Sequence, residues 1–204
     1  MDSQALAIPL ASALNKPASG VLTRAFYNDP FFTFVLPQTA ERDLIMPWLF
    51  ERLVRYGQLY GRVFTTPALE GVAMWLGPQK TGMQMLGVLR SGLFQIPFRM
   101  PRQEFKRSMA MVECADRMHE KLIQGEHWYL YELGVEPSYQ HRGVGRALLQ
   151  PILSQADLEG LACYLETNNE VNLHFYEQNG FKVMGQEQAT PESPYNWAMI
   201  RKPG

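Results

Sequence analysis

The order of helical and strand-like segments along this sequence predicts an α/β (α+β) domain, with helices packed on a central sheet. From residue 127 onwards the pattern reads strand, loop, helix, strand, helix, strand, strand. Before that point, two amphipathic segments with helical spacing flank two short apolar runs typical of strands. A length of 204 residues, with 46% hydrophobic and 19% charged residues, suits one globular domain over residues 1–204.

The first half of the chain contains two predicted helices and two predicted strands. Residues 19–27 and 40–56 have apolar positions at helical spacing, although Pro47 interrupts the second segment. Residues 59–65 and 71–76 follow as strand-like runs, joined by a short connection that contains a proline. We therefore predict a helical pair followed by a hairpin, with a turn at Asn28-Asp29-Pro30 inside the helical part.

The middle of the chain combines a segment without clear periodicity and a predicted helix. Residues 80–102 are rich in glycine, methionine and proline, and no element is assigned to them. Residues 103–124 carry apolar side chains on one face, which predicts an amphipathic helix. Core packing is the ordinary interpretation of the many methionines here. The sharper hypothesis is that residues 80–102 and the helix wall a mostly apolar binding pocket.

The second half of the chain has the clearest pattern. The predicted elements are a strand at 127–135, a helix at about 143–159, a strand at 162–166, a helix at 170–179, and strands at 182–186 and 196–201. Gly180 follows the second helix at the position where a glycine commonly ends one. A layered sheet with interspersed helices is the expected result.

Charge, cysteine content and hydropathy argue against several classes of function. The formal net charge is -1, so the chain lacks the basic footprint of a nucleic-acid-binding protein. Cys114 and Cys163 belong to no CxxC pair, and the four histidines show no metal-ligand spacing. The N-terminus carries Asp2 without a basic segment, and no apolar run of about 18 residues is present. We expect a cytoplasmic protein with no metal, no membrane partner and no nucleic-acid partner.

The loop at residues 140–146, with the sequence QHRGVGR, is the most informative segment. Its two glycines remove side chains where a strand turns into a helix, so several N–H groups can point into one concavity. Unpaired N–H groups and the helix dipole favour an anion there, and Arg142 and Arg146 add positive charge. No Gly-Lys-Ser/Thr follows, and the three-glycine dinucleotide fingerprint is absent. The loop therefore predicts a pyrophosphate site of another kind.

This loop and the segment 169–181 together resemble the two signatures of the GNAT acetyltransferase superfamily. The first signature reads LxVxPxxQxxGxGxxLL, and its positions are occupied by Leu133, Val135, Pro137, Gln140, Gly143, Gly145, Leu148 and Leu149. The second is an asparagine followed seven residues later by a Tyr-Glu-x-x-Gly-Phe ending, as in Asn169, Tyr176, Glu177, Gly180 and Phe181. Residues 28–31 and the methionine-rich insert more weakly resemble the branch that includes puromycin N-acetyltransferase.

The resemblance implies one GNAT-like domain with a mixed, mostly antiparallel sheet, splayed at the cofactor site and covered by helices on both faces. Acetyl-coenzyme A would lie in the splay, and residues 127–185 would be the cofactor-binding half. The residues implied to hold it are Leu133, Gly134, Val135, Gln140, His141, Arg142, Gly143, Val144, Gly145, Arg146, Asn169, Asn172 and Tyr176. Asn172 lies one helical turn before Tyr176 on the same predicted face.

The activity implied by the resemblance is the transfer of an acetyl group to a primary amine. Tyr176 matches the family tyrosine that lies near the sulfur, which makes it the expected acid for the leaving thiolate. Glu166 and Glu132 are both candidates for the general base, and a base acting through an ordered water is a third possibility. A backbone N–H on the splayed strand is expected to stabilise the oxyanion.

The acceptor stays open among three hypotheses. A small-molecule amine is favoured, because the insert and the following helix look suited to walling a pocket. A protein N-terminus or a lysine side chain is the alternative within the enzyme class. A non-catalytic acyl-CoA-binding domain would keep both signatures without needing the tyrosine. The sequence is compatible with a monomer or a homodimer.

Overall fold

The computed structural model describes residues 6–79 and 81–204, and within them seven strands form one sheet. The strands are β1 (Ile8–Pro9), β2 (Gly61–Thr65), β3 (Gly71–Leu76), β4 (His127–Val135), β5 (Ala162–Thr167), β6 (Lys182–Gln188) and β7 (Tyr195–Arg201). The helices are α1 (Asn15–Phe26), α2 (Pro30–Val35), α3 (Thr39–Tyr60), α4 (Met85–Ser91), α5 (Ile96–Arg99), α6 (Arg102–Leu122), α7 (Val144–Glu159) and α8 (Leu173–Gln178). No helix in the described residues has the length and apolarity needed to cross a bilayer.

The sheet is mixed and mostly antiparallel, as expected. Its strand order is β1-β2-β3-β4-β5-β7-β6, and within the described residues only β4 and β5 run parallel. A parallel pair needs a crossover connection, and α7 supplies it. The loop at residues 140–146 therefore lies in the one β-α-β unit of the described sheet.

Helices cover both faces of the sheet, which confirms the predicted layering. One face carries α1, α2, α3 and α6, whose buried side chains share a core with β2 and β3. The other face carries α7 and α8, packed on β3, β4 and β5. Leu148 of α7 has no exposed surface and lies against Gly71 of β3. The sheet is thus a middle layer between two separate hydrophobic cores.

A bulge divides β4 at Tyr131. Glu132 pairs with Met74 and Leu130 with Trp75, which leaves Tyr131 as an extra residue opposite a continuous β3. Side chains in a regular strand alternate between faces, so residues three apart point in opposite directions. Leu130 and Leu133 nevertheless pack in the same core, the one beneath α7. The bulge accounts for this change of alternation within the strand.

The strands β4 and β5 separate immediately after Leu130. Their parallel pairing runs from His127 opposite Ala162 to Leu130 opposite Leu165, and it stops there. Both strands continue, β4 to Val135 and β5 to Thr167, without further pairing to each other. The bulge follows the last paired residue of β4 directly. The splay implied by the family resemblance is therefore present in the sheet.

Several element boundaries differ from those predicted. The turn expected at Asn28-Asp29-Pro30 starts α2, because Asp29 caps the helix by accepting a hydrogen bond from the Phe31 N–H and Pro30 occupies the first turn. Helix α3 runs to Tyr60, so it includes the expected start of the next strand. The unassigned segment 80–102 contains α4 and α5, with Lys80 outside the described residues.

Candidate active site

A cavity of about 190 Å³ opens at the point where β4 and β5 separate. We call it the splay cavity. Its walls come from β4 and β5, from α1, α2 and α6, and from the segment that leads into α8. Five residues predicted for the site line it, and these are Glu132, Leu133, Glu166, Asn172 and Tyr176. Parts of the chain more than 100 residues apart therefore meet in one place.

The N-terminus of α7 lies at the end of β4. Gly143 is the N-cap of the helix and has a φ of 81°, in the left-handed region that glycine adopts without strain. Without a side chain at the cap, the first-turn N–H groups receive no capping bond there. Arg142 and Arg146 are exposed on either side of this turn. The arrangement is suited to binding an anion, as the loop sequence predicted.

Two interactions fix the loop on the sheet. Gln140 donates from its side-chain amide to the Val135 carbonyl at 3.3 Å. Arg24 of α1 forms a bidentate pair with Glu136, with nitrogen–oxygen distances of 2.7 and 2.9 Å. A Cβ added to Gly145 would come within 3.0 Å of the Phe175 ring. The turn thus packs closely against α8, next to the predicted acid.

Tyr176 lies in the wall of the splay cavity. Its side chain is 7% exposed and packs against Phe175 and Phe181. Its hydroxyl makes no hydrogen bond to any described residue. Burial raises the pKa of Tyr176 above its ordinary value, and the charges of Asp29 and Glu132 act in the same direction. The phenol therefore keeps its proton at neutral pH and can donate it inside the cavity.

Glu132 and Asp29 form a pair of carboxylates on the same side of the cavity as Tyr176. Burial raises the pKa of Glu132 to about 8, and the negative charge of Asp29 contributes to this. Burial also raises the pKa of Asp29 to about 6, although the hydrogen bond from Phe31 opposes the shift. A carboxylate with a pKa close to neutrality is suited to accepting a proton and releasing it again.

Glu166 lies at the end of β5 and is held by a tyrosine. Tyr129 donates its hydroxyl to Glu166 Oε2 at 2.6 Å, while Oε1 is buried without a hydrogen-bond partner among the described residues. Burial raises the pKa of Glu166 to about 7, against the lowering by Tyr129. His119 stacks on Tyr164 behind this pair, at 4.3 Å between ring centroids. Glu166 is more constrained than Glu132, with one oxygen left for a further contact.

The two predicted asparagines occupy different positions. Asn172 lines the splay cavity together with Tyr176. Asn169 instead caps the short 3-10 turn before α8, and its Oδ1 accepts from the Val171 N–H at 3.2 Å. That contact uses one lone pair of Oδ1 and leaves the second lone pair and the Nδ2 group of Asn169 for other partners.

The hypothesis about the middle of the chain is half wrong. Helix α6 does wall the cavity, through Met111, Val112, Ala115 and Asp116. None of the described residues between 81 and 101 lines it. Helix α4 packs instead on α3, where Gly87 lies against Tyr56 and Tyr60. The segment therefore covers α3 and not the cavity.

Two acidic lining residues, Asp29 and Asp116, were not predicted for the site. Asp29 stands before a proline, where the aspartate-proline pair indicated a turn. Asp116 lies on the polar edge of an amphipathic helix, where an acidic residue usually faces only solvent. One pattern in the sequence could have drawn attention to Asp29. Residues 29–31 can also be interpreted as the start of a helix, which would have placed Asp29 at a helix N-terminus.

Comparison with known proteins identifies the family. A family model described as "Acetyltransferase (GNAT) family" matches residues 106–181. An uncharacterised N-acetyltransferase of Schizosaccharomyces pombe is 30% identical over 174 residues, which cover 81% of this chain and 70% of the relative. The chain belongs to the GNAT acetyltransferase superfamily. It is therefore an acyltransferase, of the N-acetyltransferase kind.

Solved GNAT structures share the fold over almost the whole chain. One of them is a protein from Corynebacterium glutamicum described as histone acetyltransferase HPA2 and related acetyltransferase. It has a TM-score of 0.67 at 22% identity, and the match covers 98% of this chain and 97% of that protein. The PaiA N-acetyltransferase of Thermoplasma acidophilum, solved in complex with coenzyme A, has a TM-score of 0.54 at 16% identity, with coverages of 96% and 97%. At these identities the likeness concerns the GNAT fold.

Proposed function

We propose that this GNAT enzyme transfers an acetyl group from acetyl-coenzyme A directly to the primary amine of a small molecule. The observation that carries the proposal is the splay cavity, which brings Tyr176 and Glu132 together beside the opening between β4 and β5. Membership of the superfamily gives the reaction type. The lining of the cavity supports the assignment of the reacting residues, and its volume supports a small acceptor.

The residues at the end of β4 and the start of α7 fit the coenzyme. The N-terminal turn of α7 offers N–H groups and two exposed arginines to a pyrophosphate. The stretch of β4 from Leu133 to Val135 is paired with β3 and not with β5, so its edge towards β5 offers backbone groups to the pantetheine arm. The fold neighbour that binds coenzyme A supports this assignment. When bound, acetyl-coenzyme A supplies the thioester that the amine attacks.

We assign the general base to Glu132. The amine must lose a proton as it forms the carbon–nitrogen bond, and Glu132 makes no hydrogen bond to a described residue that would compete. Glu166 is already engaged by Tyr129, which favours a role in binding. Tyr176 donates its proton to the thiolate when the carbon–sulfur bond breaks. A backbone N–H of β4 near Leu133 stabilises the oxyanion.

A small molecule is favoured over a peptide because of what surrounds the cavity. Helices α1, α2 and α6 enclose it on the side of the sheet opposite α7, and their contribution includes Phe26, Phe31, Phe32 and Met111. A volume of about 190 Å³ is small even for a drug-sized ligand. Acetylation of a protein N-terminus or lysine would require an extended groove for the flanking residues.

The decisive experiment measures free thiol released from acetyl-coenzyme A with a panel of primary amines. Tyr176→Phe is expected to lower kcat by about 100-fold, the usual range for loss of a general acid, while coenzyme A affinity stays within about twofold. Tyr195→Phe is the matched control, because Tyr195 is exposed on β7 and does not line the cavity. Binding of coenzyme A without thiol release for any amine would favour the non-catalytic alternative.

Four further predictions from the sequence stay predictions. We propose that residues 1–204 act as one domain, with residues 127–185 as the coenzyme-binding half. A cytoplasmic location, the independence from a metal, and a monomeric or homodimeric state complete the proposal. In the described residues, no group of three or more His, Cys, Asp and Glu side chains could hold a metal ion.

A further inference from the structure

We propose that the acceptor carries a second cationic group, held by Asp116 and Glu166 while its reacting amine lies beside Glu132. The inference deepens the proposed function and rests on it. It assigns a specificity role to Asp116, an exposed residue of α6 at the edge of the splay cavity.

The charge of the cavity is strongly one-sided. Four carboxylates line it, and no lysine, arginine or histidine is among its described lining residues. None of the four takes part in a salt bridge within the described part of the chain. Asp29, Glu132 and Glu166 are partly buried and have raised pKa values, because their ionised forms are costly to desolvate. A neighbouring carboxylate also repels the charge of Glu132 and that of Glu166, whereas Asp116 is exposed. The cavity is therefore suited to a positively charged ligand.

The reaction itself uses up the charge of one amine. An ammonium group enters with one positive charge, and it must give a proton to the base before it can attack the thioester. The proton transfer neutralises the amine and Glu132 together, and Asp29, Asp116 and Glu166 then have no cationic group beside them in the described lining. A second cationic group, which takes no part in the reaction, stays charged throughout and offsets them in every step. A monoamine lacks this contribution.

The carboxylates occupy two different parts of the cavity. Asp29, which caps α2, and Glu132 of β4 lie near Tyr176. Glu166 lies at the end of β5, and Asp116 faces it from α6. The lining continues to Asn196 on β7, two strand positions from β4. Glu132 and Glu166 lie on adjacent strands beyond the last paired residues, so these strands are further apart here than the spacing of about 4.8 Å in a paired ladder, which leaves room for a short spacer between two cationic groups.

Apolar side chains line the space between the two acidic parts. Phe26, Phe31 and Phe32 contribute from α1 and α2, and Met111 and Val112 from α6. These side chains are suited to contacting the methylene or aromatic spacer of a ligand. One polar atom in the cavity wall also points to a ligand. Glu166 Oε1 is buried and lacks a hydrogen-bond partner among the described residues.

The test compares three acceptors with the same carbon chain, which are n-butylamine, the corresponding diamine and the corresponding ω-amino acid. Thiol release from acetyl-coenzyme A gives kcat/KM for each. The wild-type enzyme is expected to prefer the diamine over n-butylamine by at least about tenfold, the usual effect of one charged hydrogen bond, and to disfavour the amino acid. Asp116→Asn should reduce the ratio of diamine to monoamine by about tenfold.

A charge reversal and a matched control make the test specific. Asp116→Lys should invert the order, so that the amino acid exceeds the diamine. Glu113→Gln removes an exposed carboxylate one turn earlier on α6 that does not line the cavity, and it should leave all three values unchanged. Equal use of diamine and monoamine by the wild-type enzyme would overturn the inference while leaving the proposed function intact. Failure of every amine, with coenzyme A bound, would overturn the proposed function itself.

Discussion

Replacing Gly143 by aspartate and by asparagine separates charge from backbone strain at the α7 N-terminus. Gly143 has a φ of 81°, and a Cβ added there would have no heavy atom within 4 Å. Aspartate and asparagine have the same shape, and both tolerate the left-handed conformation better than other side chains do. The two variants therefore differ in one negative charge placed where we propose that the pyrophosphate binds.

The size of the effect follows from distance and screening. Both variants carry a strain of about 1 kcal/mol, which lowers the melting temperature by about 2–4 °C in a chain of this size. In the aspartate variant the new carboxylate would stand about 4–8 Å from a phosphate. At an effective dielectric constant of about 20, that corresponds to about 2–4 kcal/mol of repulsion. Coenzyme A should therefore bind the aspartate variant about 30- to 1000-fold more weakly than the asparagine variant.

Isothermal titration of coenzyme A measures this difference. The three proteins are compared at about 0.01 M and at about 1 M salt, because an exposed charge is screened within about 3 Å at the higher concentration. The asparagine variant should bind coenzyme A with an affinity within a few-fold of the wild type at both salt concentrations. The deficit of the aspartate variant should shrink to a few-fold at high salt. Melting curves check that both variants are folded and equally strained.

Equal affinities of the two variants at low salt would refute the reasoning. A charge at position 143 would then not be near the pyrophosphate, and the assignment of the α7 N-terminus would be wrong. A deficit that does not respond to salt would also contradict the electrostatic explanation. It would show that aspartate had distorted the turn.

Three other predictions follow from buried or paired groups. The rate of acetyl transfer should fall as the pH drops through about 8, because Glu132 must be deprotonated to act as the base. Glu132→Gln should remove this pH dependence. A wild-type midpoint near 7 that is removed by Glu166→Gln would instead identify Glu166 as the base. Asp157→Asn should lower thermal stability at neutral pH by about 1 kcal/mol. The hydrogen bond from Arg201 holds the folded-state pKa of Asp157 at about 2, so the difference between the two proteins should vanish as the pH falls from about 4 to 2. Leu148→Ala should cost about 3 kcal/mol in urea unfolding, since Leu148 is fully buried between α7 and the sheet.

The local parts of this fold could be predicted from sequence, because periodicity and turn chemistry act over a few residues. The unit from β4 through α7 to β5 is the clearest case, since its strands, glycine turn and helix each leave a local pattern. The two-residue strand β1 leaves none, because its pairing with β2 is decided by a distant segment. The start of α2 at Asp29 was missed for a different reason, since a helix cap and a turn use the same residues.

The candidate site was predictable where it lies on one stretch of chain. Glu132, Glu166 and Tyr176 come from the second half, and the structure brings them to one cavity. Asp29 and Asp116 come from the first half and the middle of the chain. Only the packing of α2 and α6 on the same face of the sheet places the carboxylates of Asp29 and Asp116 beside Glu132 and Glu166. Sequence motifs therefore indicated the coenzyme side of the site and gave little information about the acceptor side.

The bulge at Tyr131 also bears on how such an opening is built during evolution. Leu130 and Glu132 face opposite sides of the sheet, as consecutive residues of a strand without Tyr131 would. Deleting Tyr131 would thus keep every other side chain of β4 on its present face. A single extra residue therefore marks the change from a paired ladder to an entrance for a ligand, and its own side chain packs on the core beneath α1, α3 and α6.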